Sequence, residues 1–207
     1  MHLGQNAVRY NSAAQTHAFN TPFQLSKIPA RMLQQALTFG GAKPYSELPA
    51  DAAVSAHRLR HGDVLLLATD GVWDNLSPAD ALAVVSRTMR AHGGWEVDGG
   101  DGGDGAAQGA AVRGSRKLRA LTSQRAGVGV GGGVGGGGGA GAPANTLQAL
   151  LALAVAREAK EASLDRKRDG PFAREVQKHY PQENWHGGKA DDICAVVVVA
   201  VEEGGGL

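Results

Sequence analysis

Val64-Leu65-Leu66-Leu67-Ala68 is an unbroken apolar run that stops at Thr69-Asp70-Gly71. A run of that length without polar alternation predicts a strand covered on both faces, with a turn at its exit. Asp70 falls where the backbone leaves the core, and a second acid, Asp74, follows four residues later. Near the other end of the chain the order is reversed. Gly187-Gly188-Lys189-Ala190-Asp191-Asp192 precedes Ile193 to Val201, a second apolar strand. If the two strands are antiparallel neighbours, the acids at their ends come side by side.

Helical periodicity fills much of the remainder. Met32, Leu33, Ala36 and Leu37 predict a short helix over Arg31–Phe39, ended by Gly40-Gly41. After Asn75 a helix start is strongly marked, with Ser77 as N-cap, Pro78 in the first turn and Asp80 three residues past the cap. Leu82, Val85 and Met89 then share one face until Gly93-Gly94. Asn145 to Asp169 predicts a long helix whose face is Leu147, Leu150, Leu151, Ala154 and Val155, stopped by Gly170-Pro171. Phe172 to Tyr180 reads as one or two further helical turns. Val54 to Leu59 reads weakly as a strand that forms a hairpin with Val64–Thr69 across Arg60-His61-Gly62-Asp63. Phe19 to Leu25 reads as an extended segment or a loop packing on the sheet, since Pro22 biases Thr21 towards extended geometry. Met1 to Ala14 carries no decisive pattern beyond a possible strand.

Gly99 to Gly141 is of another character. It has an acidic glycine-rich start, a basic middle (Arg113, Arg116, Lys117, Arg119, Arg125) and a nearly pure Gly/Val/Ala end. Glycine loses the most backbone entropy on folding, and little apolar surface is there to offset it. The expectation is a disordered low-complexity insertion over 98–143, dividing a domain into 1–97 and 144–203, with a tail at 204–207. Gly127, Gly129 and Gly132 match a dinucleotide fingerprint by composition only, since no strand precedes them.

Composition excludes more than it suggests. The 207 residues carry a net charge of +1, which gives no argument for a nucleic-acid partner. The single cysteine rules out an internal disulfide framework or a Cys-rich zinc site. Cys194, inside the valine strand, is expected to be a small buried hydrophobe. No run is apolar enough to span a membrane. The first residues do not read as a signal or transit peptide, which bears on location only if Met1 is the true start. His17 lacks a partner at metal spacing, and His57 and His61 are expected to be exposed hairpin residues.

Carboxylates at strand ends suit hard divalent cations, which prefer oxygen ligands. Here the residues carry a resemblance. Asp70-Gly71-Val72-Trp73-Asp74-Asn75, and Gly187 to Ile193 before a valine-rich strand, resemble the last two signature motifs of the metal-dependent type 2C protein phosphatases. Gln15 to Leu25 resembles a stretch of the shorter, organelle-associated subgroup of that family. The resemblance implies an α+β fold, part of a four-layer α-β-β-α sandwich of two antiparallel sheets flanked by helices. It implies hydrolysis of phosphoserine or phosphothreonine in a phosphorylated protein substrate, by a water activated at two or more Mn²⁺ or Mg²⁺ ions. Asp70 and Asp191 match the family's metal ligands, and Asp74 matches an acid near an accessory metal. Gly71 and Gly188 are supporting backbone positions, and Trp73 is expected to pack in the core. Asp192 stands where many members have Asn, so its expected role is hydrogen bonding at the strand start. No catalytic group beyond the metal ligands is implied.

The family's early motifs supply a metal-bridging Asp-Gly pair, another acid and a phosphate-binding arginine, and these are not found here. The chain therefore looks like the C-terminal half of such an enzyme. The alternative is a non-catalytic phosphatase-like fragment that binds metal or phosphoprotein without turnover. Exposed sheet edges and poor solubility are expected of it alone. The subgroup suggests a mitochondrion or plastid.

Overall fold

The computed structural model describes residues 1–40, 45–98, 111–123 and 146–203. In chain order the strands are β1 (His2–Gly4), β2 (Ala7–Tyr10), β3 (Thr16–Ala18), β4 (Thr21–Pro22), β5 (Val64–Ala68), β6 (Trp95–Asp98), β7 (Ala111–Gly114) and β8 (Ala195–Val199). The helices are α1 (Ala30–Phe39), α2 (Asp70–Trp73), α3 (Pro78–Ala91), α4 (Leu118–Ser123), α5 (Leu147–Leu164) and α6 (Pro171–His179). The fold is α+β with antiparallel sheets, as expected. The chain divides into two compact units, Met1–Asn11 with Leu59–Leu207, and Ser12–Arg58.

The larger unit is built on a sheet of order β2-β1-β5-β8. The two acid-bearing strands are antiparallel neighbours, with Val64 opposite Val199, Leu66 opposite Val197 and Ala68 opposite Ala195. Residues directly opposite share a face. Val64 and Leu66 are fully buried and Val199 nearly so. This face belongs to one core with the α5 ladder Leu147, Leu151, Val155 and Ala159, and with Val85 and Met89 of α3. Helix α5 lies against β8, and α3 lies against α5. On the other face Leu67, Val196 and Val198 are 56, 55 and 45% exposed. The apolar run is thus covered on one face rather than two. Cys194 has the parity of Val196 and Val198 and is exposed, which corrects its expected burial.

Helix α3 begins as its sequence dictates. Asp80 N donates to Ser77 Oγ at 3.2 Å, and Ser77 N donates to Asp80 Oδ2 at 2.9 Å, the reciprocal capping box. Arg168 reaches the same carboxylate at 2.7 Å. Helix α5 is capped by Thr146 and ends at Leu164, short of the expected Asp169. Two readings are corrected, and the possible opening strand is found as a pair of strands. Residues 54–59 form no strand, and β5 is paired by β1 and β8 instead. The opening segment is a β1–β2 hairpin, turned by Gln5 and Asn6 at φ 50 and 60°. The expected insertion over 98–143 contains elements. Residues 99–110 and 124–145 lie outside the described residues, but β7 pairs with β6, and α4 buries Leu118. Val112 and Leu118 are the apolar anchors that the surrounding glycine and charge conceal.

In the unit Ser12–Arg58, β3 and β4 pair across a tight turn, and α1 ends at Gly40 in the left-handed region. His17 stacks on Tyr45 with centroids 3.8 Å apart and meets Glu47 Oε1 at 2.7 Å. No residue of α1 is buried.

Candidate metal centre

Strand β5 ends at Ala68, and the chain turns at once into the single turn α2, which Asp70 opens and Asp74 caps at its C-terminal end. Asp74 N donates to Asp70 O at 2.7 Å, which fixes that spacing. Opposite them, the segment before β8 is clasped to the end of β5. Thr69 Oγ1 donates to Asp192 O at 2.8 Å and accepts from Cys194 N at 3.0 Å. Thr69 N donates to Cys194 O at 3.1 Å. Strand pairing therefore continues to the point where both acidic segments diverge. One carboxylate oxygen each from Asp70, Asp74 and Asp191 lies within 4.8 Å of the others.

Gly71 permits this approach. A Cβ there would stand 2.4 Å from Asp192 O and 3.3 Å from Asp191 Cβ, so any side chain would force the two segments apart. Gly188 is required for a different reason. Its Cβ would sit 2.1 Å from Ala162 O, where the loop crosses the end of α5. Asp192 contributes its backbone, donating N–H to Asp191 Oδ1 at 2.8 Å and accepting from Thr69. Its side chain is not one of the three convergent carboxylates. Trp73 packs against the core and donates Nε1–H to Ala68 O at 3.0 Å.

Two residues that the sequence reading left without a role organise the site. Asn75 is 1% exposed, and its amide spans the segments. Its Nδ2 donates to Gly71 O at 2.9 Å and to Lys189 O at 2.8 Å, while Oδ1 accepts from Lys189 N at 2.9 Å. One side chain thus satisfies both backbone groups of Lys189. Lys189 in turn directs its ammonium to Asp74 Oδ2 at 2.6 Å and Asp191 Oδ2 at 3.1 Å. The ammonium also lies 4.7 Å from the centroid of the Phe172 ring. Phe172, at the start of α6, is held by its N–H to Asp74 O at 3.0 Å. An Asn beside an Asp in sequence carries no signal for this bridging. The partner backbone is remote in the chain and adjacent only in the fold.

The loop before Lys189 has its own anchor. Asp169 accepts from Gly187 N at 3.0 Å and from Gln177 Nε2 at 3.0 Å, and it meets His186 Nδ1 at 3.0 Å. Those hydrogen bonds, Gln177 first, hold its carboxyl down at about 2.

The electrostatics of the three acids differ. Burial pushes Asp74 above the usual carboxylate range, with Asp70 and Asp191 adding to the rise, and Lys189 only partly opposes this. Asp191 is held below the usual range by the Asp192 N–H and then by Lys189. Burial disfavours the Lys189 ammonium, but its bonds to Asp74 and Asp191 outweigh that and raise it. The donor set is all carboxylate oxygen, which suits a hard divalent cation. Opposite ligands of a cation with bonds of about 2.1 Å stand about 4.2 Å apart. The observed 4.8 Å limit is close to that, so these carboxylates stand at spacings that bound divalent cations can span.

No family model matches this chain. It is similar to curated protein phosphatases. Against Protein phosphatase PTC7 homolog fig of Drosophila ananassae it is 41% identical over 87 residues, 42% of this chain and 24% of that protein. Against Protein phosphatase 2C homolog 7, mitochondrial, of Saccharomyces cerevisiae it is 41% identical over 71 residues, 34% of this chain and 20% of that protein. A longer match, to the fig protein of Drosophila erecta, is 27% identical over 190 residues, 92% of this chain and 41% of that protein. The chain thus spans well under half the length of these relatives. Among solved structures, that of the photosystem II phosphatase PBCP matches with a TM-score of 0.55 at 17% identity, covering 96% of this chain and 54% of that one. That likeness establishes the fold. The resemblance to type 2C phosphatases, first carried by the motifs, is borne out by the relatives.

Proposed function

We propose that this relative of the type 2C protein phosphatases carries part of a metal-dependent centre for hydrolysing phosphoserine or phosphothreonine in proteins. Asp70 and Asp191 are its metal ligands, and Asp74 serves an accessory ion. The observation that carries the reading is the convergence of these three carboxylates within 4.8 Å, from segments far apart in sequence. A bound Mn²⁺ or Mg²⁺ would supply Lewis-acid activation of water and neutralise charge at phosphorus. The chain's own residues do the rest. Thr69 and Asn75 hold the two segments in register, Gly71 lets them meet, and Asp191 stays ionised to bind. No cysteine or serine nucleophile is required, and exposed Cys194 has no part in it. The mitochondrial location in the name of the yeast relative extends to this chain as part of the proposal.

A second reading, binding without turnover, is favoured by the small donor set. Among the described residues, this is the one group of three or more acids, histidines or cysteines placed to hold a cation. Both readings meet in one experiment. Mn²⁺ binding is measured by titration calorimetry, and hydrolysis of a small aryl phosphate is measured on the same sample. The catalytic reading expects Mn²⁺-dependent turnover that Asp70→Asn and Asp191→Asn abolish. Binding that these variants remove, without turnover, selects the second reading. The absence of Mn²⁺ binding overturns both.

A further inference from the structure

Lys189 stands out because its position is so thoroughly determined. Asn75 fixes both its backbone groups, Gly188 fits only without a side chain against α5, and Phe172 lies beneath the ammonium. The side chain is 23% exposed, and its charge is shared between Asp74 and Asp191. A long, flexible side chain loses much rotamer entropy in such a position. A surface ion pair would not justify that loss. Three carboxylates within 4.8 Å supply the reason, since they repel one another unless a cation lies among them.

We propose that Lys189 is a tethered counter-ion of the acid cluster, competing with the divalent cation for Asp74 and Asp191 and preserving the geometry of the site when the cation leaves. The inference rests on the metal-site reading above. A cation that takes Asp191 Oδ2, or an accessory ion that takes Asp74 Oδ2, must displace the ammonium from that oxygen. Lys189 therefore sets a ceiling on cation affinity and makes binding reversible. It also stabilises the cation-free form, in which the acids would otherwise repel. Lys189 is thus a positioning residue, acting on the cation through the carboxylates they share.

The test compares the wild type with Lys189→Met, Lys189→Gln and Lys189→Arg, reading Mn²⁺ affinity by calorimetry and melting temperature in chelator and in saturating Mn²⁺. Removing a unit positive charge that competes for the same carboxylates is expected to tighten Mn²⁺ binding by about tenfold or more in the Met and Gln variants. Lys189→Arg, which keeps the charge, is expected to stay near the wild type. Met and Gln variants should melt below the wild type in chelator, with the gap closing in saturating Mn²⁺. A purely structural role would leave the same gap in both conditions, and that result overturns the proposal. Unchanged or weaker Mn²⁺ binding by folded Met and Gln variants overturns it too, while leaving the metal site standing. Failure of both variants to fold even in saturating Mn²⁺ also overturns it. If the wild type and all variants fail to bind Mn²⁺, the metal-site reading itself falls and takes the proposal with it.

Discussion

Helices α3 and α1 are written in the same apolar period and have opposite fates. In α3, Val85 and Met89 are wholly buried. In α1, Leu37 and Phe39 are 85 and 83% exposed, and Met32 is 48% exposed. The difference extends to their ends. Ser77 and Asp80 cap α3 reciprocally, whereas α1 starts after Pro29 with no side-chain cap. Periodicity therefore specifies a helix and its apolar side, but burial depends on what the rest of the unit presents to that side. The unit holding α3 presents a paired sheet and α5. It is also the unit that holds the acid cluster, where sub-ångström placement matters.

The sharpest way to break this comparison is a pair of matched truncations. Leu66→Ala removes a fully buried side chain of β5 and is expected to cost about 3 kcal/mol. Leu37→Ala in α1 is expected to change stability by no more than about 0.5 kcal/mol. Urea denaturation followed by circular dichroism measures both, and similar losses would show that α1 is buried in solution.

A smaller effect is expected from two glycines. Gly71→Ala pushes a Cβ into Asp192 O and should cost about 1–3 kcal/mol, with weaker Mn²⁺ binding as Asp191 is displaced. At Gly40, φ is 69° and none of the described residues lies within 4 Å of the added Cβ, so Gly40→Ala should cost about 1 kcal/mol of local strain and leave Mn²⁺ binding unchanged. Equal effects on binding would mean that Gly71 does not govern the approach of the two segments.

The smallest effect concerns two surface carboxylates, one in each unit. Asp169 is held at about 2 by Gln177, Gly187 N–H and His186. Glu47 is held below its usual range, chiefly by the Gln24 N–H. Both folded values are depressed, so each group's contribution is fully present above its unfolded value. It is lost as pH falls through the folded value. For Asp169 that window runs from its ordinary 3.8 down to about 2. A carbon-13 NMR titration should place the Asp169 carboxyl there, and Asp169→Asn should remove that part of the acid limb. An Asp169 carboxyl titrating near 3.8 would show that the loop anchor is open in solution.

Much of the site was legible because its signals are local. The run Val64–Ala68 ending at Asp70, and the acids before Ile193, need only neighbouring residues to read as strand ends. Their mirrored order made antiparallel pairing the condition for bringing the acids together, and the register of β5 with β8 meets it. Gly71 and Gly188 were legible as backbone positions, but the reasons differ: one faces Asp192 O and the other Ala162 O. The failures are instructive in the same terms. Residues 54–59 have a weak strand pattern but find no partner strand, and a strand without a partner leaves its backbone groups unpaired. The pair β6–β7 was hidden because its second strand lies among glycines and charges, with Val112 as the internal apolar residue. Cys194 was misplaced because an all-apolar strand has no polar residue to reveal which face is covered.

By itself the sequence determined the local elements: where β5 ends, where α3 begins at Ser77, and which residues supply the carboxylates. Those depend on propensity, capping and chain chemistry within a few residues. Only the tertiary structure decided that Asn75 clamps Lys189, that the ammonium lies between Asp74 and Asp191, and that Leu66 is buried while Leu67 beside it is exposed. Those depend on distances between residues more than a hundred positions apart, which strand register sets and no local pattern encodes.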